Sequence, residues 1–192
     1  MSNAVEIVGV IVNEARFNNA AGSCQFYRTE IAVKRRSGTE DVLPIIIPEW
    51  LMSEVIVGET VYLRGSFRSF NDKESGKVEL FIFAEEIVPV NVDHMNVIHL
   101  EGFICKKPML RQTPQGRTIC DLLIATHRTC GQSDYIPCVL WERNARLGAK
   151  LEIGQMVRLD GRIQSRIYKK RFSDYTEDRV AYEVSVSHLN SD

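Results

Sequence analysis

The 192-residue chain carries 24 Lys and Arg against 25 Asp and Glu, a net charge of −1, with 44% apolar and 26% charged residues. Such a composition supports a packed core and excludes extended disorder. It also excludes a general polycation, so any contact with nucleic acid must draw on local positive charge.

No apolar run approaches the roughly 20 residues of a membrane-spanning helix. Met1-Ser2-Asn3-Ala4 has neither the basic region nor the apolar segment of a signal peptide. Cys24, Cys105, Cys120, Cys130 and Cys138 are odd in number and contain no C-x-x-C pair. They predict reduced, mostly buried thiols in a cytoplasmic protein, with no metal or cofactor.

Taken in chain order, the elements are mostly strands. A first strand runs through Gly9, followed by Phe26 to Lys34 and Val42 to Ile47. Glu49 to Val55 reads as a short or irregular helical turn. In Val61 to Arg68, apolar Val61, Leu63 and Phe67 alternate with polar neighbours, the period of a half-buried strand. Val78 to Glu85 completes a first set of five. After a short join at Pro89 to His94 the same series begins again. It comprises a strand through Gly102, then Ile119 to Arg128, Tyr135 to Trp141, a helix from Arg143 to Leu151, Val157 to Gln164, and Tyr182 to His188.

The second series copies the first. GETVYLRGSFRS, from Gly58, matches GQMVRLDGRIQS, from Gly154, with Gly65/Gly161 and Ser69/Ser165 at the same offset of 96. Upstream, Gly9 pairs with Gly102 and Pro44 with Pro137 at an offset of 93, and Gly22 with Gly116 at 94. Downstream, Glu79 aligned with Glu183 gives 104, which predicts about eight extra residues in the second copy. Glycines inside strands mark sharp bends or bulges. Two bent strands in a sheet of about five suggest closure into a small barrel, and five strands with a helix between the third and fourth give the order of an OB fold. The expected fold is therefore all-β: two tandem OB folds, residues 1–92 and 93–192, packed closely across a short join.

Pro108-Met109-Leu110-Arg111-Gln112-Thr113-Pro114-Gln115-Gly116, the run Ile119 to Thr126, Val139-Leu140-Trp141-Glu142-Arg143-Asn144-Ala145 and Asp160 to Tyr168 carry a resemblance. They are similar to the bacterial single-stranded DNA-binding protein family and its relative, the primosomal replication protein N. The resemblance covers most of residues 96–189 and is weaker in the first copy. It implies OB folds that bind single-stranded DNA in replication, recombination or repair, and a homodimer presenting four such folds. Members commonly end in a flexible tail with an acidic tip that recruits replication proteins. This sequence stops at Ser187 to Asp192, so recruitment through such a tail is not expected.

Single-strand binding needs cations to track phosphates and aromatic faces to stack bases. Arg162, Arg166, Tyr168, Lys169, Lys170, Arg171 and Phe172 supply both in the hairpin before the last strand. By the resemblance, Tyr135, Tyr168 and Trp141 fall where stacking aromatics sit. Arg111, Arg117 and Arg128 are further phosphate candidates. The first copy offers Lys34, Arg35, Arg36, Arg64, Arg68 and Phe70 as weaker ones. Its 9 Lys/Arg against 13 Asp/Glu give −4, whereas residues 93–192 hold 15 against 12, or +3. Because phosphate binding is led by charge, the second copy is expected to carry most of the affinity, with the first as assembly partner.

Enzyme chemistry has no support here. G-x-x-x-x-G-K-[ST], H-E-x-x-H and G-x-S-x-G are all absent. The rival to DNA binding is a protein-interaction OB scaffold, favoured by the acidic first copy.

Overall fold

The computed structural model describes residues 2–71, 76–171 and 173–191. The first half holds β1 (Asn3–Ile11), β2 (Arg16–Ala21), β3 (Cys24–Lys34), β4 (Glu40–Pro48), a 3-10 turn (Glu49–Glu54), β5 (Thr60–Asn71) and β6 (Val78–Pro89). The second holds β7 (Met95–Ile104), β8 (Met109–Gln112), β9 (Thr118–His127), β10 (Ser133–Trp141), α1 (Glu142–Gly148), β11 (Met156–Arg171) and β12 (Thr176–Ser191).

The strands form one sheet in the order β2-β3-β4-β6-β5-β1-β7-β11-β12-β10-β9-β8, which reads the same from either end. Pairings β1–β3 and β7–β9 close the two halves into barrels. This is the expected pair of OB folds in tandem. The barrels meet where β1 runs antiparallel to β7, with Val5 opposite Ile98 and Val8 opposite Met95.

Alternation decides what each barrel buries. Val5, Ile7, Val61, Leu63, Phe67 and Ile82 fill the first, and Ile98, Leu100, Val157, Leu159, Ile163 and Val184 the second. Gly65 and Gly161 sit at register shifts in β5 and β11. A Cβ on Gly65 would strike the Phe83 carbonyl oxygen, and one on Gly161 that of Ser185. Bare backbone is needed at both bends so that the paired strand can approach.

Three expectations change in detail. Each barrel gains a short outer strand, β2 or β8, whose side chains are all exposed and therefore show no apolar alternation. The hairpin register places Leu80 opposite Ser69 and Tyr182 opposite Ser165. The equivalent offset is then 102, and the second copy has six extra residues, not eight. Matching Glu79 to Glu183 by residue type had misaligned them. Of the five cysteines, only Cys120 and Cys138 are buried, and Cys130 is exposed on a turn.

Two reciprocal clasps fasten the barrels together. Arg35 grips Asp41 through Nε (2.7 Å) and Nη2 (2.6 Å). Asp41 also accepts the amide of Ser165 at 2.7 Å and its hydroxyl at 2.9 Å, while Arg35 donates to the Ser165 carbonyl at 3.1 Å. In the other direction, Arg128 holds Asp134 through Nε and Nη2, Asp134 accepts the Ser69 amide at 2.7 Å, and Arg128 donates to the Ser69 carbonyl at 3.1 Å. Ser69 and Ser165 are the matched serines of the repeat. Their partners sit in a second repeat, R-x-x-G-x-x-D, at Arg35-Arg36-Ser37-Gly38-Thr39-Glu40-Asp41 and Arg128-Thr129-Cys130-Gly131-Gln132-Ser133-Asp134. Burial by itself would raise the Asp41 carboxyl, but the Arg35 guanidinium and the two Ser165 donors outweigh it and hold it below the usual carboxylate range.

Candidate nucleic-acid interface

Of the aromatic and cationic residues singled out in the second copy, Tyr135, Trp141, Arg162, Arg166 and Tyr168 line adjoining grooves. β10 ends at Trp141, half-buried, with its indole N–H donating to Ser185 Oγ at 3.1 Å. That hydrogen bond fixes the ring at the floor of a groove walled by Arg35, Arg117, Arg162 and Arg166. The Arg117 guanidinium lies 4.6 Å from the Trp141 ring centroid, within cation–π range. Arg117 and Arg166 are loosely paired, with Glu142 at 3.5 Å and Glu183 at 3.6 Å. Burial and the neighbouring charge of Arg35 lower the pKa of Arg162. Arg162 donates to Gln164 Oε1 at 3.3 Å and makes no ion pair among the described residues. Four guanidinium groups around one indole make a site that a phosphate would relieve of like-charge repulsion.

Arg166 also lines the next groove, about 560 Å³, with Tyr135 and Tyr168. Tyr135 is 50% exposed at the start of β10 and Tyr168 is 36% exposed on β11. Arg166 lies 5.8 Å from the Tyr168 ring. Tyr182, Lys106 and Arg28 share this groove, and none of the three was singled out from sequence. In the other direction, Arg35 and Arg162 open onto a cleft holding Lys34, Arg36 and His94. The grooves therefore form one track, joined by shared arginines.

Other candidates stand elsewhere or are otherwise engaged. Lys169, Lys170 and Arg171 are exposed along the β11 end of the long hairpin, with Lys169 3.7 Å from Asp178. Phe172 lies outside the described residues. Arg111 makes a two-pronged contact with Asp121. Arg64 is paired with Glu86 at 2.9 Å and Glu85 at 3.5 Å. Arg35 and Arg128 are the clasp arginines. Arg68 and Phe70 line a groove in the first copy, where Arg68 sits 3.8 Å over the Phe83 ring. That groove also contains Phe26 and Phe81, which sequence reading passed over. The signal was present: Phe81 and Phe83 alternate with buried Ile82 and Ala84, so they face away from the core.

Two barrels in one sheet, with aromatic and cationic grooves on their outer face, define a double OB-fold binding protein. Over its whole length the fold is similar to the wild-type single-stranded DNA binding protein of Thermus aquaticus, with a TM-score of 0.77 at 18% identity, covering 100% of this chain and 93% of that one. The chain belongs to the single-strand binding protein family, whose profile matches residues 95–191. It is 38% identical over 82 residues to single-stranded DNA-binding protein 2 of Listeria innocua, covering 39% of this chain and 52% of that protein. To single-stranded DNA-binding protein A of Bacillus subtilis it is 34% identical over 84 residues, covering 40% and 49%. The chain thus spans about half the length of the curated relatives it matches.

Proposed function

We propose that this chain binds single-stranded DNA without reading its sequence and without catalysis, in replication, recombination or repair on the nucleoid. The units are residues 1–92 and 93–192, and the family makes a homodimer with four OB folds the assembly to expect. The observation that carries the reading is the track itself. Trp141, Tyr135 and Tyr168 lie in two grooves joined by Arg166, and Arg162 carries the track on from the Trp141 groove. Stacking on such rings is worth about 1–3 kcal/mol per base and tolerates any base. Paired bases in a duplex cannot offer their faces, so single strands are preferred.

Trp141 reports directly on this. In a Trp50→Phe variant it is the sole tryptophan, since the chain has two. Saturation with oligo-dT should quench its emission, because a base stacks on the indole or displaces Arg117 from it. Unchanged emission at every oligonucleotide concentration would contradict the proposed path.

A further inference from the structure

We propose that the first copy holds a base-stacking site of its own, built from Phe26, Phe70, Phe81 and Phe83 rather than from equivalents of Tyr135, Trp141 and Tyr168. The proposal rests on the single-strand reading above and concerns where the strand goes next.

The site lies where the internal two-fold places the mate of the Trp141 groove. The Phe83 carbonyl backs Gly65 as the Ser185 carbonyl backs Gly161. By the same register, Phe81 stands where Glu183 stands, and Phe70 where Arg166 stands. Phe26 faces Pro48 across β3 and β4, just as Ile119 faces Trp141 across β9 and β10. The aromatic has therefore changed strand between the two copies. Where the second-copy groove has one indole among four arginines, the first-copy groove has four phenyl rings with Arg28, Arg68 and Arg128, Arg68 lying over the Phe83 ring.

Several observations make unpaired bases the occupant. The rings lie outside the core: Phe70 is 57% exposed, and Phe26, Phe81 and Phe83 are only partly buried. Four such rings on one face form an apolar patch of the kind that marks a binding surface. Phe26 and Phe83 pack together at 5.8 Å and 49° with Arg68 over the Phe83 ring, which leaves exposed Phe70 as the ring most accessible to a planar guest. Arg68 makes no ion pair among the described residues; burial and the nearby charge of Arg128 lower its pKa despite the more distant Asp134 and Glu85, a shift that a bound phosphate would reverse. The cleft is continuous with the Tyr135–Tyr168 groove, because Arg28 and Glu79, an ion pair at 2.8 Å, line both. A strand leaving Tyr168 thus meets the phenyl cluster next. Net charge alone had marked the first copy as an assembly partner, but stacking does not depend on net charge.

The two copies should then hold the strand by different forces. Binding in the second is led by phosphates and steep in salt, whereas binding in the first is led by stacking and shallow in salt. The test uses the full chain carrying Phe70→Ala and Phe81→Ala, with folding checked by circular dichroism. Affinity for an oligo-dT of about 20 nucleotides should fall roughly 5- to 150-fold per stacked base lost, with the salt slope unchanged. An oligonucleotide of about 6 nucleotides, short enough for one OB fold, should bind as before in the second copy. Unchanged affinity for the longer strand, beside a loss in Tyr135→Ala/Tyr168→Ala, overturns the first-copy site and leaves the function standing. No binding of either strand by the unaltered chain overturns the function itself. Should the double variant fail to fold, photocrosslinking of iododeoxyuridine strands to the unaltered chain decides. Adducts at Phe70, Phe81 or Phe83 support the site. Adducts confined to the second copy overturn it and leave the cleft to an apolar protein segment.

Discussion

Replacing Asp41 by alanine should destabilise the folded chain by about 3–5 kcal/mol, the cost of removing one partner from a buried ion pair. The Asp41 side chain has no solvent exposure, and Arg35 retains only 22%. Its loss strands a half-buried guanidinium and leaves both the amide and the hydroxyl of Ser165 without an acceptor. Those donors belong to the other barrel, so the damage falls on the contact between copies. Removing Arg64 serves as the control, because its pairs are half-exposed and such pairs are worth at most about 1 kcal/mol. Urea denaturation of both variants gives the comparison. Acid should act in the same direction. A carboxyl held below its unfolded value of about 3.9 stabilises fully above that pH, and the contribution drains away as pH falls through the lower folded value. Asp41→Ala should therefore lose less stability than the unaltered chain between about pH 4 and strong acid. A loss below 1 kcal/mol in Asp41→Ala would show that the clasp does not hold the barrels together.

Reversing Arg117, Arg162 and Arg166 to glutamate should weaken oligo-dT binding by on the order of 10²–10³-fold at low salt. It should also flatten the log–log salt slope by about 2, at about 0.7 per phosphate contact on a single strand. These three are chosen because their carboxylate pairs are loose or, among the described residues, missing. Arg111 is already bound by Asp121 through two hydrogen bonds, so its reversal should cost far less. Arg35 is a poor subject for charge reversal, since it would open a clasp as well as remove a cation. Lys34 and Arg36, exposed beside it, isolate the charge effect at that end of the track. Fluorescence anisotropy across a salt series reads both affinity and slope. An unchanged slope in the triple variant would mean that phosphates run elsewhere.

The fold could be read from the sequence because its constraints are local. Glycines at Gly9, Gly65, Gly102 and Gly161 mark the bends, and alternation in β5 and β11 marks the core face. What escaped lies in pairings between distant segments. Asp41 meets Ser165 across 124 residues, and no period in a single strand announces that contact, although R-x-x-G-x-x-D occurs twice. Counting Arg35 and Arg128 as available charge ignored the carboxylates that each grips. Tyr135, Arg166 and Tyr168 could be chosen by residue type and resemblance, but only folding puts them on one groove. Phe81 and Phe83 were not singled out, because the strand Val78 to Glu85 is apolar on both faces and its sequence alone does not say which face is covered.

The most direct test of single-strand binding is a titration of labelled oligo-dT, about 35 nucleotides, against a duplex of equal length at low and moderate salt. That length would span the four OB folds of the proposed homodimer at roughly 4–16 nucleotides each. Tight binding of the single strand, much weaker binding of the duplex, and affinity that falls as salt rises are the predicted result. No binding of the single strand at low salt, or equal binding of both forms, would contradict it.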